Sequence, residues 1–305
     1  MRRTLIAGVA AVAGLSLTAC GGGDPLAGGG PAGAPAASDT IKIGSADFTE
    51  SQLLAAIYAD ALQAKGVKVE QTPPIGSRET YIPALKDGSI DLIPEYTGTL
   101  LQYFDKSAPQ TEAEDVYAAL RKAVPAPLTV LAKSAAEDKD AVVVPRAVAQ
   151  RYNATSIADL APHCGELVFG GPPEFQTRPD GIPGIQKTYN CVFKAYKQLD
   201  AGGPLTQKAL AEGQVQAADV FTTDPSIGDK DLVALTDPKS NFAAQNALPL
   251  INSAKATDQV KQVLNAVSAK LTTQILIDLR RKLNAPDKPN TDTVAKQWLA
   301  ANGLG

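Results

Sequence analysis

The stretch DLIPEYTGTLLQYF, residues 91 to 104, joins an apolar run to a second segment through a polar junction. The run that ends at Tyr96 is typical of a buried strand, and the residues beyond the junction resume as a candidate helix. The Thr-Gly-Thr sequence at 97–99 could form a turn with a helix cap. It could also be a ligand site, because open α/β sheets bind ligands where strands end and helices begin.

Strands and helices alternate on the N-terminal side of this junction. The sequence TIKIGSA (40–46) predicts a strand, TESQLLAAIYADALQAKG (49–66) a helix that ends at Gly66, and VKVEQTP (67–73) a second strand. A helix over SRETYIPALKDGS (77–89), ending at Gly88, then leads into the strand IDLIPEY. This βαβαβ order predicts a largely parallel sheet with flanking helices.

A second unit begins near residue 137. Strands are predicted at 138–145, 165–171 and 215–224, and helices at 145–153, 185–199 and 206–213. Within 231–252 the chain returns to the first unit and then ends in helices over 257–284 and 291–303. We therefore expect an α/β protein of two lobes, with lobe 1 formed by 41–136 and 233–305 and lobe 2 by 137–232.

The N-terminus has the pattern of an export signal. Residues 1–19 combine a basic start, an apolar stretch and small residues, and the motif Leu-Thr-Ala-Cys at 17–20 looks like a lipoprotein cleavage site. The apolar run is shorter than the ~20 residues that a membrane span needs. We predict lipid attachment at Cys20 and a Gly- and Pro-rich tether over 20–40, which would hold the protein at a membrane surface.

Charge and cysteine content narrow the classes of partner. Without Arg2 and Arg3 the chain has 27 basic and 32 acidic residues, a balance that disfavours nucleic acid. With Cys20 assigned to the lipid, Cys164 and Cys191 remain, and in an oxidising compartment they are expected to form a disulfide. Two separate buried thiols are the alternative.

Motifs for catalysis or metal binding are missing from the sequence. His163 is the single histidine, and the chain contains no GxSxG, HExxH or CxxC motif. A carboxylate pair such as Asp91 and Glu95 could act as acid and base, but such pairs occur in any acidic chain. We therefore expect no enzyme, no cofactor and no metal site.

Several segments resemble one family, the substrate-binding proteins of osmoprotectant ABC transporters (ProX- and OpuC-like), which capture glycine betaine, choline, carnitine and proline betaine. The similar segments are IGSADFTESQLLAAIYADAL (43–62), ALKDGSIDLIPEYTGT (84–99), SIADLA (156–161), EFQTRPDGIPGIQKTY (174–189), DVFTTDPSI (219–227) and VAKQWLAANGLG (294–305). The resemblance implies a periplasmic-binding-protein fold of type II-like topology, with a mixed sheet in each lobe and a ligand cleft between them. It also implies a monomer that serves a membrane permease.

The family's motifs carry over to three ligand-binding positions. A quaternary ammonium group has no hydrogen to donate, so it is bound by aromatic ring faces. By resemblance, Tyr96 is one ring of such a box, Thr99 bonds the ligand carboxylate, and Arg178 reaches that carboxylate from lobe 2.

Other positions depart from the family's pattern. Phe221 keeps a ring without a hydroxyl, whereas Asp140 and Gln245 stand where relatives have tyrosines, and Ala46 stands where many have a lysine. These changes suggest a pocket shifted toward a more polar or larger ligand, for example a polyhydroxylated one.

Structural roles remain open for the same residues. Tyr96 and Phe221 could be packing residues, Arg178 could pair with Asp180 or Glu174, and Asp140 could be a solvated charge at the hinge. A stand-alone sensory or adhesion lipoprotein with this fold is a third functional class.

Overall fold

The computed structural model describes residues 39–305. The predicted signal over 1–19, the predicted lipidation site Cys20 and nearly all of the predicted tether lie outside this range. Within it, no helix is both long and apolar enough to cross a bilayer.

The described part of the chain contains two five-stranded sheets. In chain order the strands are β1 Ile41–Ile43, β2 Val69–Gln71, β3 Leu92–Tyr96, β4 Leu128–Val130, β5 Asp140–Pro145, β6 Val168–Gly171, β7 Ala195–Gln198, β8 Ala217–Phe221, β9 Leu232–Ala234 and β10 Ala247–Asn252. The first sheet has the order β2-β1-β3-β10-β4 and the second the order β7-β6-β8-β5-β9. Each sheet with its helices is one lobe of a two-lobed periplasmic-binding-protein fold.

The helices that cover the sheets are α1 Thr49–Ala64, α2 Arg78–Asp87, α3 Thr97–Phe104, α4 Ala113–Ala123, α5 Arg146–Tyr152, α6 Ile157–Leu160, α7 Ile182–Tyr189, α8 Pro204–Ala211, α9 Ser226–Asp229, α10 Asp258–Ser268, α11 Thr273–Leu283 and α12 Thr291–Ala301. Short 3-10 helices occur at Ala161–Glu166, Pro173–Gln176 and Ser253–Lys255. The C-terminal helices α10–α12 pack with α1 in the core of lobe 1.

Both sheets are mixed rather than wholly parallel. In lobe 1, β1 runs parallel to β2 and β3, whereas β10 is antiparallel to β3 and β4. In lobe 2, β6 is parallel to β7 and β8, and β5 is antiparallel to β8 and β9. Strand β3 is buried along its whole length, which agrees with its mostly apolar sequence and includes the charged Glu95.

Two segments of chain connect the lobes and run side by side. Residues 131–139 lead from β4 to β5, and residues 235–246 lead from β9 to β10. Glu137 and Asn246 form an antiparallel bridge between them. The amide of Asp138 also donates to the carbonyl of Gln245 at 3.0 Å. These paired crossovers form the floor of the space between the lobes.

The structure corrects the helix predicted over 185–199. Helix α7 ends at Tyr189, followed by Asn190 in the left-handed region at φ 55°, and Ala195–Gln198 forms strand β7 beside β6. Asn tolerates that conformation better than most residues, which makes it a natural helix end. Cys191, just beyond it, is bonded to Cys164, so the predicted disulfide is present.

Two further boundaries differ from the sequence interpretation. The predicted helix over 257–284 is two helices, because Thr272 caps α11 by accepting from the amide of Ile275. Strand β9 pairs with β5, so the second sheet extends past residue 232, where the chain was expected to return to lobe 1.

Candidate ligand site

A cavity lies between the two lobes, directly above the crossovers. Its empty volume, including space open to solvent, is about 680 Å³. All six residues that the sequence suggested as ligand-binding line this cavity, namely Tyr96, Thr99, Asp140, Arg178, Phe221 and Gln245. They come from both lobes and from one crossover, so the fold brings together positions that are up to 149 residues apart.

Three aromatic rings form one part of the cavity wall. The ring centroid of Phe48 lies 5.0 Å from that of Phe221 and 6.1 Å from that of Tyr96. Tyr96 ends β3 and Phe48 immediately precedes α1, so both belong to lobe 1, whereas Phe221 ends β8 of lobe 2. The rings therefore meet across the cleft. Sequence analysis did not identify Phe48, although it lies in the segment 43–62, two residues after Ala46, which also lines the cavity.

The hydroxyl of Tyr96 is bound to a buried network that crosses the cleft. It donates to Glu50 Oε1 at 2.7 Å, while the hydroxyl of Thr223 donates to Glu50 Oε2 at 2.5 Å. Arg280 in α11 donates to the Thr223 hydroxyl at 2.7 Å and to Asp224 Oδ2 at 2.5 Å. Burial, together with the neighbouring Glu50, raises the pKa of Tyr96 well above its ordinary value.

Asp138 places a carboxyl group beside this network. It lines the cavity and accepts from the amide of Thr223 at 2.9 Å. Burial is the main reason that its pKa is raised well above the usual range, and the adjacent Glu50 adds to the effect. The crossover thus contributes an acidic group close to the three rings.

Thr99 and Gln245 bind each other. The Thr99 amide donates to Gln245 Oε1 at 3.0 Å, and Gln245 Nε2 donates to the Thr99 hydroxyl oxygen. Both side chains are buried. The Gln245 amide therefore fixes the first turn of α3 to the crossover.

Arg178 lies among carboxylates of its own lobe. Its Nη2 donates to Asp140 Oδ1 at 3.3 Å, and its Nε is 3.9 Å from Asp180 Oδ1. The guanidinium also lies over the ring of Phe175, 5.5 Å from the centroid. Burial opposes the charge, but Asp140 and Asp180 outweigh it and raise the pKa of Arg178. The Arg178 side chain thus pairs with Asp180, whereas its contact with Glu174 is through the backbone, where the Arg178 amide donates to the Glu174 carbonyl at 3.0 Å.

A second arginine, which the sequence analysis did not identify, lines the same cavity. Arg78 in α2 makes a two-pronged ion pair with Glu95, with Nε 2.9 Å from Oε1 and Nη2 2.8 Å from Oε2. The hydroxyl of Tyr81 donates to the same carboxylate at 2.7 Å. Glu95 therefore has a structural role, in which it holds Arg78 and Tyr81 in place. Its sequence neighbour Tyr96 lines the cavity, whereas Glu95 does not.

Across residues 39–305, no cluster of three or more His, Cys, Asp or Glu side chains is arranged to hold a metal ion. What the cavity offers is ring faces, carboxylates and two arginines that are already paired. Such a set of groups suits a small polar cation.

Comparison with known families gives one match over most of the chain. A family described as the substrate-binding domain of an ABC-type glycine betaine transport system matches residues 39–301. A glycine-betaine-binding protein of Pseudomonas aeruginosa is 31% identical over 228 residues, which cover 71% of this chain and 72% of the relative. The glycine betaine-binding protein YehZ of Escherichia coli is 27% identical over 281 residues, 88% of this chain and 92% of the relative.

Solved structures show the same architecture. The crystal structure described as a glycine betaine/carnitine/choline ABC transporter superimposes with a TM-score of 0.69 at 22% identity. The match covers 87% of this chain and 99% of that one. At this identity the likeness concerns the fold.

Proposed function

Because the chain belongs to the family of substrate-binding domains of ABC-type glycine betaine transport systems, we propose that it captures a small quaternary-ammonium osmoprotectant outside the cytoplasm. The bound solute is then presented to the permease of an ABC uptake transporter. Lipid on Cys20 and the tether over 20–40 would hold the protein at the membrane, as a monomer. The sequence pattern at 17–20 supports that attachment.

The observation that carries this proposal is the group of three rings between the lobes. Phe48, Tyr96 and Phe221 come from both lobes and offer ring faces to one cavity. A quaternary ammonium ion within about 6 Å of a ring centroid gains about 0.5–2 kcal/mol for each ring, depending on how far it is desolvated.

Capture needs only a change in the angle between the lobes. Two lobes joined by paired crossovers can close on a solute as a hinge. In the arrangement described here Phe221 of lobe 2 already lies against Phe48 of lobe 1, and lobes held in this way would shield a bound cation from water, which strengthens its attraction to the rings. No bond is made or broken in this mechanism, so we propose no enzymatic activity.

The alternative of a polyhydroxylated ligand rested on Asp140 and Gln245. The Gln245 amide is already bonded to Thr99 and is buried, which leaves less of it for a ligand. A purely adhesive role would give the ring cluster no ligand to bind. Both features favour uptake of a quaternary amine.

Calorimetric titration of the purified full-length protein tests the proposal. Glycine betaine, choline, carnitine and proline betaine are titrated into the wild type and into Tyr96→Ala and Phe221→Ala. Each substitution removes one ring and should weaken binding of the best ligand by about 10-fold or more, the upper part of the range for a desolvated ring.

Tyr152→Ala is the matched control, because Tyr152 stacks on His163 away from the cavity. We expect this variant to bind like the wild type. Absence of binding by all four quaternary amines, or equal losses in the control, would refute the proposed function.

A further inference from the structure

Arg178, the residue expected to receive a ligand carboxylate, already has one. Asp140 Oδ1 lies 3.3 Å from Arg178 Nη2, and both side chains line the ligand cavity. The side chain of Asp140 is 4% exposed and that of Arg178 is 16% exposed, so the pair faces the cleft while largely shielded from water. Asp140 therefore occupies a place that a ligand's carboxylate would need.

Acidic groups outnumber the guanidinium at this wall. Asp180 lies 3.9 Å from Arg178 Nε, and Asp219 is fully buried with neither carboxyl oxygen hydrogen-bonded. Burial, together with Asp140, raises the pKa of Asp219, which favours its neutral form. Burial raises the pKa of Asp180 as well, so Asp140 is the carboxylate that balances Arg178, and two further acidic groups lie beside this pair.

Within residues 39–305, the cavity wall contains no unpaired basic side chain that could balance an anionic ligand. Of the described residues that line the cavity, Arg78 and Arg178 are the basic ones, and Arg78 is paired with Glu95. Arg280, behind the rings, is paired with Asp224 and lies 3.7 Å from Glu50. On the lobe 1 side and on the lobe 2 side of the cavity, carboxyl groups thus outnumber the basic side chains.

We infer that Asp140 is a specificity residue that acts as an internal carboxylate on Arg178, so that the site selects quaternary or protonated amines without a carboxylate over betaines. This inference rests on the proposed function and specifies its ligand class. A betaine must displace Asp140, leaving a buried carboxylate beside Asp180 and Asp219 without its cation, which is costly. A carboxylate-free cation leaves the Arg178–Asp140 pair intact and brings no second carboxylate to this acidic wall.

Choline and glycine betaine form a matched pair of probes. They share a trimethylammonium head, but choline ends in a hydroxymethyl group and glycine betaine ends in a carboxylate. Calorimetric titration of the full-length wild type should give at least a 10-fold lower Kd for choline. The ratio of the Kd for glycine betaine to the Kd for choline measures this preference. In Asp140→Asn, which keeps the side-chain shape and removes the charge, this ratio should fall by at least 10-fold because Arg178 becomes available to the betaine carboxylate.

Asp229→Asn makes the same change in net charge at an exposed position outside the cavity and should keep the wild-type ratio. Asp180→Asn is a second variant that removes a carboxylate from Arg178 and should also narrow the ratio. Should Asp140→Asn fail to fold, the wild-type ratio and the Asp180 variant still decide the question.

Two results would overturn the inference while leaving the proposed function standing. One is a wild type that binds glycine betaine as tightly as choline, and the other is a ratio of the two Kd values that is unchanged in both Asp140→Asn and Asp180→Asn. Loss of binding to every quaternary amine is the separate result that defeats the proposed function itself.

Discussion

The side chain of Tyr96 combines a ring face in the cavity with a hydroxyl that donates to Glu50. Tyr96→Phe removes the donor and keeps the ring. We expect the free energy of unfolding to fall by about 1–3 kcal/mol, since a buried acceptor loses its partner. Affinity for the quaternary amine should stay within about threefold of the wild type, because the ring that attracts the cation remains.

Urea denaturation and calorimetric titration measure the two effects separately. Tyr96→Ala serves as the comparison, since it loses both the hydroxyl and the ring. If Tyr96→Phe weakened binding as much as Tyr96→Ala, the hydroxyl and not the ring would govern ligand capture.

The sequence motifs predicted which residues line the cavity, but they did not predict what those side chains contact. Tyr96, Thr99 and Arg178 were expected in the cleft, and they line it. Phe48 and Arg78 were not expected there, because the direction of each depends on partners distant in sequence. The bond between Thr99 and Gln245 spans 146 residues and exists only because a crossover returns beside α3.

At the scale of single elements, the start of α3 depends on a close approach between backbones. A Cβ built on Gly98 would lie 2.7 Å from the carbonyl oxygen of Ala244 and 3.0 Å from the Cβ of Ala243. Backbone atoms cannot turn away as a flexible side chain can. Gly98→Ala should therefore lower the free energy of unfolding by about 1–3 kcal/mol and weaken ligand binding by displacing Thr99.

Gly165→Ala is a matched control, because a Cβ there would meet nothing within 4 Å. Chemical denaturation of both variants gives the comparison. Equal stabilities for the two variants would show that α3 can shift away from the crossover without cost.

Elements with strong apolar periodicity were predictable, and short surface elements were not. The helix α1 and the buried strand β3 follow directly from their patterns. Strand β7 was assigned to a helix because its four residues, which include Lys197 and Gln198, do not have the apolar pattern of a buried strand. In the structure they are partly buried or exposed. Its conformation is set by pairing with β6 and by the nearby disulfide, neither of which is visible in a local pattern.

For the molecule as a whole, buried acids make stability depend on pH. Burial raises the pKa of Asp138, Asp180 and Asp219, with neighbouring carboxylates adding to the effect. The folded state therefore holds protons that the unfolded chain has released, in the range between the ordinary pKa of 3.8 and the raised values. Folding stability should fall as pH rises through that range.

Urea denaturation at pH 5, 6, 7 and 8 checks this sign, and we expect the largest free energy of unfolding at the acidic end. Asp219→Asn should flatten the profile, because an amide does not titrate. Asp159 works in the opposite direction, because hydrogen bonds from residues 155 and 156 lower its pKa to about 2. Its contribution to folding stability is therefore complete from pH 5 to pH 8 and is lost only below pH 4. A free energy of unfolding that increased from pH 5 to pH 7 would contradict the prediction.

The position of β10 also sets an order of events during folding. Strand β10 lies between β3 and β4 in the first sheet, yet it follows all the strands of the second sheet in the chain. A chain that emerges from its N-terminus, as an exported protein does when it crosses the membrane, therefore completes the second sheet while the first still has a gap between β3 and β4. Until residue 252 has emerged, β3 and β4 have exposed, unpaired edges, which is the state in which a nascent chain is most prone to aggregate and most dependent on chaperones.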